Sequence, residues 1–327
     1  MHPDQVLFQG ERTLPDMPAI DHYAGSEKLI AKALDIQQQM GPVFDITGDC
    51  EDGAPAGRET EHARMVAAMV MSDANRFGRV GARIHDITHP HWRRDIDILI
   101  EEAGRRLAFI TFPKPRSVAD VREQLAYLRA QEAASHTGTA LPVHVLIETH
   151  GALRDAWEIA ATDGVESLDF GLMDFVSAHH GAIPGEAMRS PAQFEHPLVA
   201  RAKCEIAAAA LAHGVVPSHN VTTEIKDVAI IRSDAERARR EFGYLRMWSI
   251  HPNQIAPILE AMRPDFSEVE SAVAILGAAQ DAQWGPIQHA GKLHDRASYR
   301  YYWTLLKRAR ATGQALTPEV MQRFFAG

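Results

Sequence analysis

A (β/α)₈ barrel with a C-terminal helical extension is the fold class predicted, and three observations predict it. Short apolar runs rich in Val, Ile and Phe alternate with helix-length patterns, which implies parallel strands joined by crossovers. Nearly every such run closes on a charged or imidazole side chain: Asp49, Arg83 and His85, Lys114, Glu148, Asp174, His219, His251. In a parallel barrel those ends form one rim, so residues far apart in sequence converge there. No Gly-rich phosphate fingerprint follows any run, which weighs against an open dinucleotide-binding sheet.

In chain order, the first strand signal is weak, "QVLF" near the start. Firmer runs follow in "PVFDITGD", "RVGARIHD", "LAFITFPK", "PVHVLIE", "SLDFGLMD", "VVPSHNV" and "MWSIHPN". Between them lie helical patterns such as "VADVREQLAYLRAQEAA" and "LVARAKCEIAAAALAHG", the second closing on a Gly stop signal. After Asn253 the rhythm changes to "FSEVESAVAILGAAQDAQ" as helix, "WGPIQHAGKLHD" as loop and "RASYRYYWTLLKRARATG" as helix. Residues 1–263 are therefore expected to form the barrel and catalytic domain, and 264–327 the helical extension.

Length and composition agree with this. The chain has 327 residues, 46% hydrophobic and 24% charged, enough for a barrel-sized core plus an appendage. A formal charge of −9 and the lack of a long Lys/Arg block argue against a nucleic-acid surface. Two cysteines, Cys50 and Cys204, give no disulfide framework and point to a reducing cytoplasm. The opening "MHPDQVLFQGERTLPD" lacks an apolar signal core, and no stretch has membrane-span length. A soluble cytoplasmic protein with no membrane partner is expected.

The chemistry concentrates at the run ends. "VFDITGDCEDGAPAG" gathers Asp49, Glu51 and Asp52, acids that repel unless a cation, a cationic side chain or water meets them. Glu148 in "HVLIETHG" is a metal ligand, a general base or merely a helix-start acid. Asp174 in "LDFGLMDF" repeats the design. Two such acids, with no His or Cys at ligand spacing beside them, suit a hard divalent ion such as Mg²⁺. Arg83 reads both as counter-ion for the acids and as a fixed cation aimed at an enolate or carbonyl oxygen. His85, His89 and His91 lack an HExxH or closed Cys/His set, so zinc is disfavoured. Cys50 stands between acids that raise a thiol's pKa, which rejects it as a nucleophile, and no GxSxG elbow occurs.

With these residues in hand, the chain resembles the citrate lyase beta-subunit and malyl-CoA lyase family of the aldolase/citrate lyase superfamily. The resemblance runs from about Lys32 to the C-terminus. It rests on "DCED" (Asp49 to Asp52), Arg83 in "RIH", Pro113–Lys114, Glu148–Thr149, Phe170–Gly171 with Asp174, and "IHPNQI" from Ile250, six motifs in the family's order. His85 replaces the usual Asn, the usual Val-Pro-Gly opening is absent, and "SHNVTTEIKD" departs from the typical strand. The resemblance implies that Glu148 and Asp174 hold Mg²⁺ and that Arg83 contacts the reacting thioester or enolate oxygen, with Lys114 and Glu148 also touching substrate. It further implies that Asp295, in "HAGKLHDRASYR", acts over a neighbouring subunit's site. The same residue also reads as an N-cap for the helix beginning near Arg296.

The expected activity is reversible aldol or Claisen cleavage of a 3-hydroxyacyl thioester such as a malyl-CoA or citryl-type substrate. Asp49, Glu51 and Asp52 would hydrogen-bond metal waters and pair with Arg83 or Lys114. The expected partners are an acyl-CoA or acyl-carrier thioester, a small keto acid, and further copies of the chain in a trimer or hexamer. Three other readings stay open: a thioesterase on a malyl-type thioester, a metal-dependent aldolase with a pyruvate-type donor, and a non-catalytic binding subunit.

Overall fold

The structure, a computed structural model, describes residues 2–10, 12–135, 138 and 140–326. The chain divides into two compact units, Pro18–Ala261 and Met1–Met17 with Met262–Gly327. The first is a closed parallel barrel of eight strands: β1 (Ile20–Ala24), β2 (Asp45–Asp49), β3 (Val80–Arg83), β4 (Ile110–Phe112), β5 (Val143–Ile147), β6 (Val165–Phe170), β7 (Val216–His219) and β8 (Arg246–Ser249). They hydrogen-bond in chain order, and β8 returns to β1 through Ile20↔Met247 and Asp21↔Trp248. Flanking helices such as Val118–Ser135 and Pro197–Ala212 stand where the helical periodicity puts them.

The first strand is a correction. "QVLF" is not a strand; Pro3–Leu7 is a short helix, and β1 is "IDHYA". Its sequence hid it because Asp21 and His22 are buried in a strand whose five residues are all buried. An apolar-run search passes over such a segment. A second correction concerns β6. The expected run reached Asp174, but β6 ends at Phe170, Gly171 caps the helix Leu172–Ser177, and Asp174 lies in that helix's first turn.

The other unit has its own core, including Leu276, Tyr299, Trp303 and Phe324, with Leu7 from the N-terminal helix packed into it. That helix is tied to Arg296–Ala311: the Trp303 Nε1–H donates to Asp4 Oδ1 at 2.7 Å, and the Arg300 Nε–H donates to the Leu7 carbonyl at 2.8 Å. The segment expected as a loop contains an antiparallel hairpin, Ile287–His289 with Lys292–His294. Ala290 and Gly291 turn it with positive φ values of 48° and 75°, the backbone that a two-residue hairpin turn of matching twist needs.

Candidate active site

The strand register sets the site. Asp49 pairs with Arg83 across β2 and β3, so the last inward-facing residue of each strand meets the other at the C-terminal rim. The Arg83 Nε–H donates to Asp49 Oδ1 at 2.8 Å and an Nη2–H to Oδ2 at 2.6 Å, a bidentate fork. Its Nη1 stands 2.9 Å from Glu51 Oε2. Arg83, Asp49 and Glu51 are all buried.

Asp49 is fixed from the other side by the backbone N–H groups of Glu51 and Gly53, at 3.0 and 2.8 Å. Burial alone would raise its pKa, yet the guanidinium and these hydrogen bonds hold its carboxyl below the ordinary value. Glu51 has fewer donors. Burial pushes it up to about 7 against the pull of Arg83 and Lys114, and the charge of Asp52 adds to the rise.

Lys114 follows β4 and links the rest. Its Nζ lies 3.1 Å from Glu51, 3.0 Å from Asp52 and 3.8 Å from Asp174. Although burial works against the charged amine, Glu51, Asp52 and Asp174 raise its pKa. Its backbone sits at φ 48°, a left-handed turn uncommon for a side-chain-bearing residue, and its N–H donates to Glu148 Oε1 at 2.8 Å.

Glu148, just beyond β5, is 2% exposed. Its second oxygen rests on Gly171: a Cβ there would lie 2.0 Å from Oε2. Burial first, then the negative charges of Glu51 and Asp174, push Glu148 up to about 8. Asp174 is half-buried. Lys114 therefore links the two acids, through its backbone to the sheltered Glu148 and through its ammonium to the more open Asp174. Their donors are all oxygen, and the glycine leaves room around the inner carboxylate. This set fits a hard divalent cation.

Seven of the residues singled out from the sequence thus form one cluster: Asp49, Glu51, Asp52, Arg83, Lys114, Glu148 and Asp174. Asp295 lies in the other unit as the N-cap of Arg296–Ala311. Its Oδ1 accepts from Ala297 N–H at 3.0 Å, and the Ser298 hydroxyl accepts from its own N–H at 3.1 Å, completing a capping box. His219 ends β7 but does not face the rim. Its Nε2 lies 2.5 Å from Lys203 Nζ and its ring stacks on Phe194 at 5.4 Å. Burial pushes both His219 and Lys203 well below their ordinary pKa values. Cys50 is buried, and burial followed by Asp95 and Asp49 pushes its thiol up, which suits an inert side chain.

Sequence reasoning missed three features. Gly171 matters as a cradle for Glu148, which only coordinates display. Asp95, in the first turn of the helix Trp92–Ala103, accepts from the His85 backbone N–H at 2.9 Å and lies 2.6 Å from His85 Nδ1. Deeper in the barrel, potential ligand atoms of Asp21, His144 and Asp169 lie within 4.8 Å of one another. Arg246 already enters that layer, with Nη2 3.1 Å from Asp21 and Nη1 2.6 Å from Asp45. Burial pushes Asp169 up to about 7 and His144 well down. The cluster reads as a polar barrel floor neutralised by one guanidinium and by retained protons. Among the described residues, His85, His89 and His91 form no comparable group of ligand atoms.

The chain is similar to known proteins in sequence and in fold. The family model for HpcH/HpaI aldolase/citrate lyase matches residues 40–252. A curated L-malyl-CoA/beta-methylmalyl-CoA lyase of Cereibacter sphaeroides is 29% identical over 302 residues, covering 86% of this chain and 90% of the relative. Chloroflexus aurantiacus has a malyl-CoA/beta-methylmalyl-CoA/citramalyl-CoA lyase 23% identical, covering 91% of this chain and 88% of the relative. A crystal structure described as a citrate lyase from Burkholderia xenovorans LB400 superposes with a TM-score of 0.85 at 56% identity, over 98% of each chain. The citrate lyase beta subunit of Mycobacterium tuberculosis, solved with oxaloacetate and magnesium, gives 0.60 at 20% identity over 76% of this chain and 98% of that one. It supports the fold. With the family model spanning β2 to β8 and more than half of the sequence, and a 56% identical structure matching nearly end to end, this chain belongs to the HpcH/HpaI aldolase/citrate lyase family.

Proposed function

We propose that the protein is a Mg²⁺-dependent carbon–carbon lyase that cleaves a 3-hydroxyacyl-CoA of the malyl or citramalyl type into a keto acid and an acyl-CoA, reversibly. The observation that carries this reading is the Glu148 cradle: a buried carboxylate linked through Lys114 to Asp174, in one cluster with the guanidinium clamped between β2 and β3. The named activities of the curated relatives lie in the same class.

Glu148 and Asp174 would hold the ion. Bound there, Mg²⁺ supplies Lewis-acid polarisation of the hydroxyl or keto oxygen and fixes the carboxylate end of the substrate. Arg83 has N–H groups left beyond those that meet Asp49 and Glu51, and they can receive the thioester oxygen as it becomes an enolate. Asp49 and Glu51 keep the guanidinium from turning away. Lys114 offsets part of the charge of Glu51 and Asp52, which lowers the repulsion that the substrate's own anion would meet. A base takes the hydroxyl proton, the carbon–carbon bond opens toward the thioester, and an acid protonates the enolate carbon. Asp295 from a neighbouring copy in a trimer or hexamer fills the acid role.

Product analysis with malyl-CoA and Mg²⁺ tests the reading. A lyase yields glyoxylate and acetyl-CoA. Malate with free CoA would instead show a thioesterase on the same site, and no turnover with this or citramalyl-CoA would overturn the lyase.

A further inference from the structure

We propose that His85, held by Asp95, is the base that takes the substrate's hydroxyl proton in the cleavage direction. The inference rests on the lyase reading and supplies the one group that reading left unnamed.

The geometry comes from β3. Arg83 faces the barrel interior and Ile84 continues the strand's pairing, its N–H reaching the Thr111 carbonyl at 3.3 Å. His85 stands two residues beyond Arg83, just past the end of β3, where Glu51 of the rim is among the charges acting on its ring. There a single carboxylate oxygen, Asp95 Oδ2, engages both the backbone N–H and Nδ1 of His85. Asp95 is fully buried and His85 is 7% exposed, so this pair is rigid and sheltered. With Nδ1 donating to Asp95, the ring is fixed in the tautomer whose lone pair is on Nε2. Nε2 takes no hydrogen bond from the described residues. An oriented imidazole with one free nitrogen, on the strand that carries the enolate-facing arginine, has the form of a general base.

The charged and titratable neighbours agree. Burial works against a charged imidazole, but Asp95, then Glu51 beyond β2 and Glu59 at the start of the helix Glu59–Met71, raise the His85 pKa overall. A base strengthened in this way takes a proton more readily. On its own loop, His89 stacks flat on it at 4.1 Å and 13°, and the His91 ring lies 6.3 Å away. Burial and the two neighbouring histidines lower the His89 pKa, which favours a neutral ring packed against His85.

The step balances. His85 Nε2 accepts the hydroxyl proton, the hydroxyl oxygen becomes the keto oxygen, and the electron pair of the carbon–carbon bond moves into the thioester enolate. The enolate carbon then takes a proton from the acid of the neighbouring copy; His85 returns its own to solvent, and the acid regains one from solvent. No oxidant or further reactant is needed.

The test is the pH profile of kcat/KM for malyl-CoA cleavage at saturating Mg²⁺, for the wild type, His85→Gln, His85→Ala and Asp95→Asn. Wild type is expected to rise with a histidine limb that His85→Gln lacks, its rate lower by about 10²–10⁴-fold. Added imidazole should partly restore His85→Ala, and Asp95→Asn should move the limb to lower pH. Protection of each variant by Mg²⁺ against thermal unfolding reports that fold and metal site persist. A His85→Gln variant within about threefold of wild type, or one keeping the limb, overturns the assignment while leaving the lyase intact. A wild type that cleaves neither malyl-CoA nor citramalyl-CoA overturns the lyase, and the base falls with it.

Discussion

Arg83 has five N–H donors, and Asp49 and Glu51 together meet both edges of its planar fork. A lysine keeps the charge and loses the fork. Arg83→Lys should therefore bind Mg²⁺ normally and lose about 10²–10³-fold in kcat, read by steady-state kinetics beside a metal titration; unchanged kcat would remove Arg83 from the chemistry. Gly171 gives a second residue-scale prediction. A methyl group at that position meets Glu148 Oε2 at 2.0 Å, inside any permitted contact, so Gly171→Ala must displace the carboxylate or the strand end. Calorimetry should show Mg²⁺ affinity at least about tenfold weaker, and wild-type affinity would mean that Glu148 is not a ligand. These two residues also differ in how far the sequence shows them. Arg83 is legible, being a charge among apolar neighbours in "GARIHD". Gly171 reads as an ordinary turn residue, because a contact with a side chain 23 positions earlier has no local signature.

The elements show the same divide. The rim acids after β2 and β5 are legible because apolar runs lead straight into them. β1 is not, since its inward face is spent on Asp21 and Tyr23 in the barrel interior, with Arg246 and Trp248 opposite. Asp174 is legible as an acid after an apolar run but not as a helical residue, because six residues are too few for a periodicity. Asp295 reads two ways in the sequence, and its helix shows the cap directly. A cap alone does not exclude a second role across subunits, and asparagine separates the two because it caps as well as aspartate. Asp295→Asn should keep its Tm, changing stability by only a few tenths of a kcal/mol, while cleavage falls by about 10²-fold or more. Full activity in this variant would reduce Asp295 to its cap.

For the whole molecule, the acid cluster makes stability depend on pH and metal together. Unfolded, Glu148 loses its proton near 4.5; in the metal-free fold it keeps it to about 8. Between those values the unfolded chain binds fewer protons than the folded one, so metal-free stability falls as pH rises through the window. Glu51, raised to about 7, acts in the same direction. The combined loss is on the order of a few kcal/mol. A dication that binds only the ionised carboxylate offsets it by displacing the proton. The shift in Tm caused by Mg²⁺ should therefore be larger at pH 8.5 than at pH 6, and Glu148→Gln should abolish both the shift and the metal-free decline due to that residue. Equal shifts at both pH values would contradict this account of the cluster.

The assignment of the metal to the rim is open to direct observation. Mn²⁺, a Mg²⁺ surrogate with an anomalous signal, can be soaked with oxaloacetate into crystals of the full chain. A metal held at the rim gives an anomalous peak between the carboxylates of Glu148 and Asp174, with the keto acid completing its shell. A peak at Asp21, His144 and Asp169 instead, or none at the rim with oxaloacetate bound, would contradict that assignment.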